Sequence, residues 1–335
     1  MESKKVRAYA VKWMNSGRES SASGGFFPAV AKYVIEQKKG YVCGCVLENM
    51  KPIHIVSNEW ADIQRMQDSK YVQSSLENCH KEISLLLKEK NWILFTGTSC
   101  QVLGLINYLK TINVKMDRLI TMDFFCHGVP SPQIWDDYLK FYEKSTHRKV
   151  IGYRFRGKKY GWKKGNHLYT MKYKKGNSIK EDNISYFASK IWNSIFFSNL
   201  CLRPSCYYCK FASYRKPADI TMGDFWGIEK ILPGFNDNDK GCSLCVSSNE
   251  KIIKMIKSID DLTMEEVDIN IAISRQQNAF KSSELPAARK LFWKDYEKNG
   301  FSKKLLKKYY SFHFSRRMRA LYNRVIFELR MRDNI

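Results

Sequence analysis

Hydrophobic positions fall into short runs whose spacing alternates between strand-like and helix-like periods. Arg7 to Trp13 is apolar, a polar stretch follows from Asn15 to Gly25, and a helical pattern runs from Phe26 to Gln37. Ser23 is placed to cap that helix, and Pro28 is tolerated in its first turn, where a missing N–H would be unpaired anyway. Gly24 and Gly25 let backbone approach a ligand closely, and the free N–H groups of a helix start attract anions. On these residues alone a plain capped helix and a phosphate cradle both stand. Tyr41 to Leu47 and Pro52 to Ser57 read as strands, and Ala61 to Gln67 and Leu76 to Lys88 as helices.

One arrangement then occurs twice. Trp92 to Phe95 reads as a buried strand, Thr96 to Gln101 as a turn and Val102 to Leu109 as a helix; Leu119 to Phe125, Cys126 to Pro132 and Gln133 to Lys144 repeat the order. Strand, loop and helix in succession predict neighbouring parallel strands, whose ligands collect at the carboxyl ends. Both loops carry a cysteine, so Cys100 and Cys126 are expected to face one site. Beyond residue 150 a β-pair is predicted from Ile151 to Arg156 and His167 to Tyr173, then a helix from Tyr186 to Asn199, and mostly helix from Glu250 onward.

The pattern gives a mixed α/β fold: parallel strand-loop-helix units, an added β-pair and a helical C-terminal part. It divides into 1–150, an α/β domain, 151–300, a domain holding a cysteine turn, and 301–335, a basic helical tail. Length supports this: 335 residues make roughly two domains at ~150 residues each. No run approaches the ~18 apolar residues that span a bilayer, and the start is charged without an apolar segment behind it. A cytoplasmic protein is expected, its ten cysteines reduced.

Charge adds a second feature. Lys+Arg 57 against Asp+Glu 33 leaves +24, with ten Lys/Arg and no acid from Arg154 to Lys180 and another ten from Phe301 to the end. Nucleic acid, anionic lipid and phosphorylated small molecules all suit such a chain. The last helix has Met318, Leu321, Tyr322, Val325, Ile326 and Leu329 on one stripe, which suits peripheral contact with an anionic membrane or packing on its own domain.

Cys206 and Cys209 lie in a turn at the spacing that points two sulfurs at one centre. Cys242 and Cys245 have the same spacing but sit in a strand pattern, where residues three apart face opposite ways. Cys43, Cys45, Cys79 and Cys201 read as core or structural thiols. Cys100, Cys126, Cys206 and Cys209 together would supply four thiolates, and zinc and a [4Fe–4S] cluster are equally served by that set.

These motifs carry a resemblance. Ser21-Ala22-Ser23-Gly24-Gly25, Ser69 to Ser74, Thr96 to Gln101, Cys126 to Pro132, Arg203 to Cys209 and Ala218 to Gly227 occur in the order seen in the coenzyme F-420 hydrogenase/dehydrogenase beta-subunit family. The chain looks most like a bacterial branch met in polysaccharide-biosynthesis settings. The resemblance implies an iron–sulfur flavoprotein oxidoreductase with FAD and a [4Fe–4S] cluster on Cys100, Cys126, Cys206 and Cys209. It also implies cofactor contacts at Ser23, Gly24, Gly25, Lys70, Tyr71, Gln73, Thr98 and Gln101, with Lys70 and His127 as catalytic groups. Lys70 would stabilise the reduced flavin and His127 would donate a proton.

Two departures shape the expected partners. No ferredoxin-like module precedes Arg7, so a separate carrier such as ferredoxin would bring electrons. Cys126-His127-Gly128 differs from relatives that use the deazaflavin coenzyme, which is therefore disfavoured here. The substrate is expected to be a small or sugar-linked molecule, with the basic segment from Arg154 to Lys175 holding phosphates. The rival readings are a basic zinc-containing nucleic-acid protein, which the parallel units disfavour, and a non-catalytic family member acting through partner proteins.

Overall fold

A computed structural model describes residues 5–158, 161–163, 168–176, 178–183 and 188–310. Its first part runs β1 (Arg7–Trp13), α1 (Gly17–Ser20), α2 (Phe26–Glu36), β2 (Tyr41–Glu48), β3 (Lys51–Ser57), α3 (Trp60–Met66), α4 (Cys79–Lys88), β4 (Ile93–Thr96), α5 (Ser99–Thr111), β5 (Leu119–Phe124) and α6 (Pro132–Thr146). It continues with β6 (Lys149–Gly157), β7 (Leu168–Lys175), β8 (Ser178–Asn183), α7 (Ala188–Phe197), β9 (Ile220–Asp224), β10 (Ser243–Ser247), α8 (Glu250–Lys257), β11 (Leu262–Val267), α9 (Ile269–Ile273), α10 (Arg289–Asn299) and α11 (Lys303–Tyr309).

Eight strands form one mixed sheet in the order β11-β1-β10-β9-β5-β4-β2-β3. Its centre, β2, β4, β5 and β9, is parallel; the repeated strand-loop-helix pattern predicts the β4–β5 pair within it. β10, β1 and β11 continue it antiparallel on one side and β3 closes the other. Two reversals between β9 and β1 make those strands point the same way, so the loop after β1 lies on the same sheet edge as the loops after β4, β5 and β9. Since β9, β10 and β11 complete the sheet begun by β1 to β5, residues on both sides of position 150 build one structure.

The apolar face of each helix explains its place. Val30, Ala31 and Val34 of α2 and Ile253 and Ile256 of α8 cover one side of the sheet, and Ile83, Leu87, Val102 and Leu105 of α4 and α5 cover the other. A separate core forms where α6, α7, α10 and α11 meet the smaller sheet, centred on the fully buried Trp135 and Trp192, whose rings meet at 4.7 Å. Burying a side chain such as Phe155 or Ile134 there contributes about 1.5–3 kcal/mol. The Trp135 indole donates to the carbonyl of Met50 at 2.7 Å, which ties this core to the β2–β3 turn.

Several expectations change. The β-pair is a three-stranded sheet, β6-β7-β8, and β11 interrupts the stretch expected to be helical. Helix α5 begins at Ser99, so Cys100 stands in a helical first turn rather than in a loop. Ser23 does not cap α2: Gly25, at φ 82°, occupies the cap position. The stripe from Met318 to Leu329 lies outside the described residues, and no helix among the described residues is long and apolar enough to cross a membrane.

Candidate functional site

Three chain segments bring the four cysteines to the carboxyl edge of the parallel strands. The first is the start of α5. There Gln101 Oε1 accepts from the Thr98 N–H at 2.9 Å and from Thr98 Oγ1 at 3.1 Å, which fixes the helix entry. Gln101 Nε2 donates onward to Ser74 Oγ at 3.0 Å. Cys100 is exposed, with its sulfur 3.0 Å from Thr98 Oγ1. Thr98 and Gln101 thus position Cys100 through the helix cap.

The second segment leaves β5. Gly128, at φ 135°, turns the chain so closely that a Cβ there would stand 2.9 Å from Leu202 Cδ1 and 3.3 Å from Cys206 Cβ. The third segment is the 3₁₀ turn Pro204–Tyr208, with Pro204 at its first position. Backbone bonds from Arg203 N to Val129 O at 2.9 Å and from Ser131 N to Cys201 O at 3.0 Å clamp it to the second. Lys216 closes the arrangement by donating to Ser99 Oγ at 3.1 Å and Phe124 O at 3.2 Å.

Within this frame the thiols sense one another. Burial pushes Cys126 up to about 12, and the charges of Cys206 and Cys100 add to that; burial also raises Cys206, with Cys209 and Cys100 contributing. Backbone hydrogen bonds from Gly128 to the Cys126 sulfur and from Val129 to that of Cys206 act in the opposite direction and favour thiolates. Among the described residues no three His, Cys, Asp or Glu side chains are placed to hold a single metal ion. A polynuclear cluster asks less of them, because each thiolate binds its own iron at a corner and the sulfurs stand farther apart. Four thiols, two with backbone bonds that favour the thiolate, are a donor set that fits such a cluster. Cys43, Cys79, Cys201, Cys242 and Cys245 are buried, as core thiols should be.

His127 lies in the second segment with both ring nitrogens engaged. Nε2 meets Asn199 Oδ1 at 2.7 Å, Nδ1 lies 3.4 Å from Ser283 Oγ, and Ser283 Oγ also donates to the His127 carbonyl. Burial lowers its affinity for a proton. Its rings of contact, Phe196 at 5.0 Å and Phe197 at 5.4 Å, complete a pocket that holds the loop. Asn199 and Ser283 carry no sequence signal, since they approach from 72 and 156 residues away.

The residues expected around a flavin are differently employed. Lys70 Nζ donates to the carbonyls of Arg65, Met66 and Gln67 at 2.7–3.0 Å, with Asp68 O at 3.3 Å, and so caps the C-terminus of α3. Tyr71 stacks on Phe196 at 4.5 Å, and Gln73 N donates to Pro130 O at 3.3 Å, placing this segment against the Cys126 loop. Ser23 Oγ donates to Cys242 O at 3.0 Å, and Gly24 N donates to Ser243 Oγ at 2.9 Å. A Cβ on Gly24 would stand 2.5 Å from Ser243 N and 2.6 Å from Val11 O. The close approach that these glycines allow is taken by the chain's own strands. Ser23, Gly24 and Gly25 therefore do not fit an open phosphate cradle.

Farther along the same edge lies a polar cluster with no short-range sequence signal. Arg156 of β6 grips Asp224 at the end of β9, Nη1 to Oδ2 at 2.6 Å and Nη2 to Oδ1 at 3.2 Å, and Trp162 Nε1 donates to Asp224 Oδ1 at 2.9 Å. Burial opposes the guanidinium charge, but the Asp224 carboxylate more than offsets it and the net shift is upward. Lys158 Nζ donates to the carbonyls of Arg18, Ser23 and Lys240 at 2.5, 2.7 and 2.6 Å. Burial, helped by the charges of Arg18, Arg154 and Arg156, brings its ammonium down to about 7. Arg154 donates to Ser20 O at 2.7 Å. Three cations of the basic segment are thus turned onto the chain's own groups, while Lys159, Lys164 and His167 lie outside the described residues. Beneath the cysteines, Asp123 is fully buried. One of its oxygens accepts from Thr221 Oγ1 at 2.6 Å, and burial raises its carboxyl to about 6.

Residues 90–270, more than half of the chain, match the family model that describes the C terminus of the beta subunit of coenzyme F420 hydrogenase/dehydrogenase. That match, on an α/β sheet with cysteines at its carboxyl edge, places the protein in the class of oxidoreductase-type subunits. It belongs to the coenzyme F420 hydrogenase/dehydrogenase beta-subunit family. Among solved structures it is similar to a chain of the F420-reducing [NiFe] hydrogenase complex from Methanosarcina barkeri, studied by xenon derivatization. The TM-score is 0.51 at 13% identity, over 82% of this chain and 88% of that one. At that identity the likeness is one of fold. No curated protein matches the sequence.

Proposed function

We propose that this protein is an iron–sulfur flavoprotein oxidoreductase, with a [4Fe–4S] cluster on Cys100, Cys126, Cys206 and Cys209 and FAD beside it, acting on an organic substrate in the cytoplasm. The observation that carries the reading is the meeting of four thiols from three chain segments at the carboxyl edge of a parallel sheet, two of them receiving backbone hydrogen bonds. When bound, the cluster supplies one-electron transfer and the flavin combines such electrons into a two-electron equivalent. The chain's own part is to hold the thiolates: Thr98 and Gln101 fix Cys100, Gly128 brings the β5 loop against the cysteine turn, and Lys216 ties both to α5. His127 anchors the loop through Asn199 and Ser283. The flavin rests on family membership, not on Ser23 to Gly25 or on Tyr71, whose ring is packed on Phe196. A role in polysaccharide biosynthesis, with a sugar-linked substrate, belongs to the same proposal.

Anaerobic purification followed by iron, sulfide and flavin assays tests this. About four irons and four sulfides per chain are expected, with a broad absorption shoulder near ~400 nm. Single Ser replacements at Cys100, Cys126, Cys206 and Cys209 should each reduce the iron, whereas Cys245→Ser should not. Retention of full iron by Cys126→Ser or Cys206→Ser, or one zinc per chain in place of iron, would end the proposal.

A further inference from the structure

We propose that a small cavity lined by Arg215, Lys216 and three hydroxyl side chains is a binding site for a phosphate group. It goes beyond the proposed redox function, since it uses none of the four cysteines and none of the basic segment from Arg154 to Lys175. The cavity measures about 110 Å³. Thr221 of β9, Ser247 of β10 and Ser248 line one part of it, and Arg215 and Lys216, from the segment that leads from the cysteine turn to β9, line another.

The polar side chains there are donors. Arg215 is exposed, lies over the Tyr214 ring at 5.6 Å and has no acidic partner among the described residues. Lys216 gives two of its three N–H groups to Ser99 Oγ at 3.1 Å and Phe124 O at 3.2 Å, which leaves one. The Ser248 hydroxyl has no hydrogen-bond partner among the described residues. The neighbouring acids are already held. Asp219 accepts from Thr121 N at 2.9 Å, Thr121 Oγ1 at 2.7 Å and Asn249 Nδ2 at 2.8 Å, and Glu250 pairs with Arg7 at 3.2 Å. Asp123 does not line the cavity and accepts from Thr221 Oγ1 at 2.6 Å.

A guanidinium, an ammonium and hydroxyls around one hollow match an oxyanion, whose oxygens are all acceptors, and Arg offers the forked pair of N–H groups that a phosphate takes. Volume sets the size of the ligand. A cavity of about 150 Å³ takes a benzene ring, so this one takes a single phosphate group and leaves the remainder of an ester outside. Lys216 also joins the hollow to the cysteine site, because its partner Ser99 precedes Cys100. Inorganic phosphate and phosphate esters share this chemistry.

Calorimetric titration of the full chain with inorganic phosphate, glucose 1-phosphate and glucose tests the site and separates the two sources. Both phosphates are expected to bind and glucose is not; tighter binding of the ester supports an esterified ligand, and equal or tighter binding of inorganic phosphate supports the free ion. Arg215→Gln should weaken binding ~10-fold or more, as loss of a charge-assisted hydrogen bond does. Ala218→Leu, which narrows the cavity without touching a charge, should weaken it as well, with the fold checked by melting temperature. Lys210→Gln, at an exposed cation outside the lining, should bind as the parent does. Unchanged binding by Arg215→Gln overturns the inference. Equal losses in Arg215→Gln and Lys210→Gln, the mark of diffuse charge, overturn it too, and so does a parent that binds neither phosphate. Should Arg215→Gln fold poorly, Ser248→Ala decides by the same comparison. The titration needs neither cluster nor flavin, so its failure leaves the redox reading standing, and loss of the redox reading leaves this test in force.

Discussion

Removing the carboxylate of Asp224 is the most direct probe of how the two sheets are joined. Arg156 and Asp224 are 9% and 13% exposed and their closest atoms are 2.6 Å apart. At a charge separation near ~4 Å and an effective dielectric of ~20, their attraction is worth about 4 kcal/mol. Breaking a buried pair by removing one partner typically costs about 3–5 kcal/mol, because the remaining charge stays in the interior. Asp224→Asn keeps the shape and an acceptor for the Trp162 indole but removes that charge. Each kcal/mol moves the melting temperature by about 2 °C or less in a chain of this size. The variant should therefore melt roughly 4–7 °C lower by circular dichroism. Arg156→Met should cost a similar amount, and the double variant Arg156→Met with Asp224→Asn much less than the sum, a coupling above about 2 kcal/mol. A melting point within about 2 °C of the parent for Asp224→Asn, or strict additivity in the cycle, would refute the reasoning.

Gly24→Ala should be strongly destabilised or insoluble, since its Cβ would stand 2.5 Å from Ser243 N and 2.6 Å from Val11 O, neither of which can yield; parent-like solubility and melting would contradict this. The raised Asp123 carboxyl means that the folded state holds its proton more tightly than the unfolded chain. Its stability contribution is full below the ordinary carboxyl range and is lost as pH rises through about 6. Asp123→Asn should thus remove up to about 3 kcal/mol of the loss between about pH 4 and pH 7, read from urea midpoints across that range. Lys70→Met should lower stability by about 1 kcal/mol or more, through lost capping of α3 and unpaired carbonyls, measured by the urea midpoint. His127→Ala should loosen the Cys126 loop, seen as faster amide exchange at 126–131 with slower exchange retained in β5.

The β4–β5 pair at the centre of the sheet was legible because both strands are buried on both faces and therefore mostly apolar. The turn and helix after each strand follow from local glycine, proline and capping residues. The edge strands were not legible. β8, Ser178–Asn183, is a polar segment held by backbone pairing to one neighbour; β11, Leu262–Val267, packs Leu262, Met264 and Val267 on the core but carries two Glu in six residues, a run too short and mixed to announce a strand. The candidate site divides in the same way. Cys100 and Cys126 could be placed by their position after consecutive strands, and Cys206 with Cys209 by their spacing. The holding of His127 by Asn199 and Ser283, and the pairing of Arg156 with Asp224, join residues that share no local pattern.

By itself the sequence determined the local units, the pairing of β4 with β5 and the candidate thiols, since each depends on neighbours within a few residues or on consecutive units. Tertiary structure decided what those units are used for. Ser23 and Gly24 contact a strand some 219 residues away, so the conformational freedom that looked like room for a ligand is spent on backbone packing. Lys70 is held by the end of a helix, and Arg154, Arg156 and Lys158 of the basic segment turn onto the chain's own groups. Burial converts a charge or a glycine from a surface feature into a structural joint, and burial is a property of which distant segments come together.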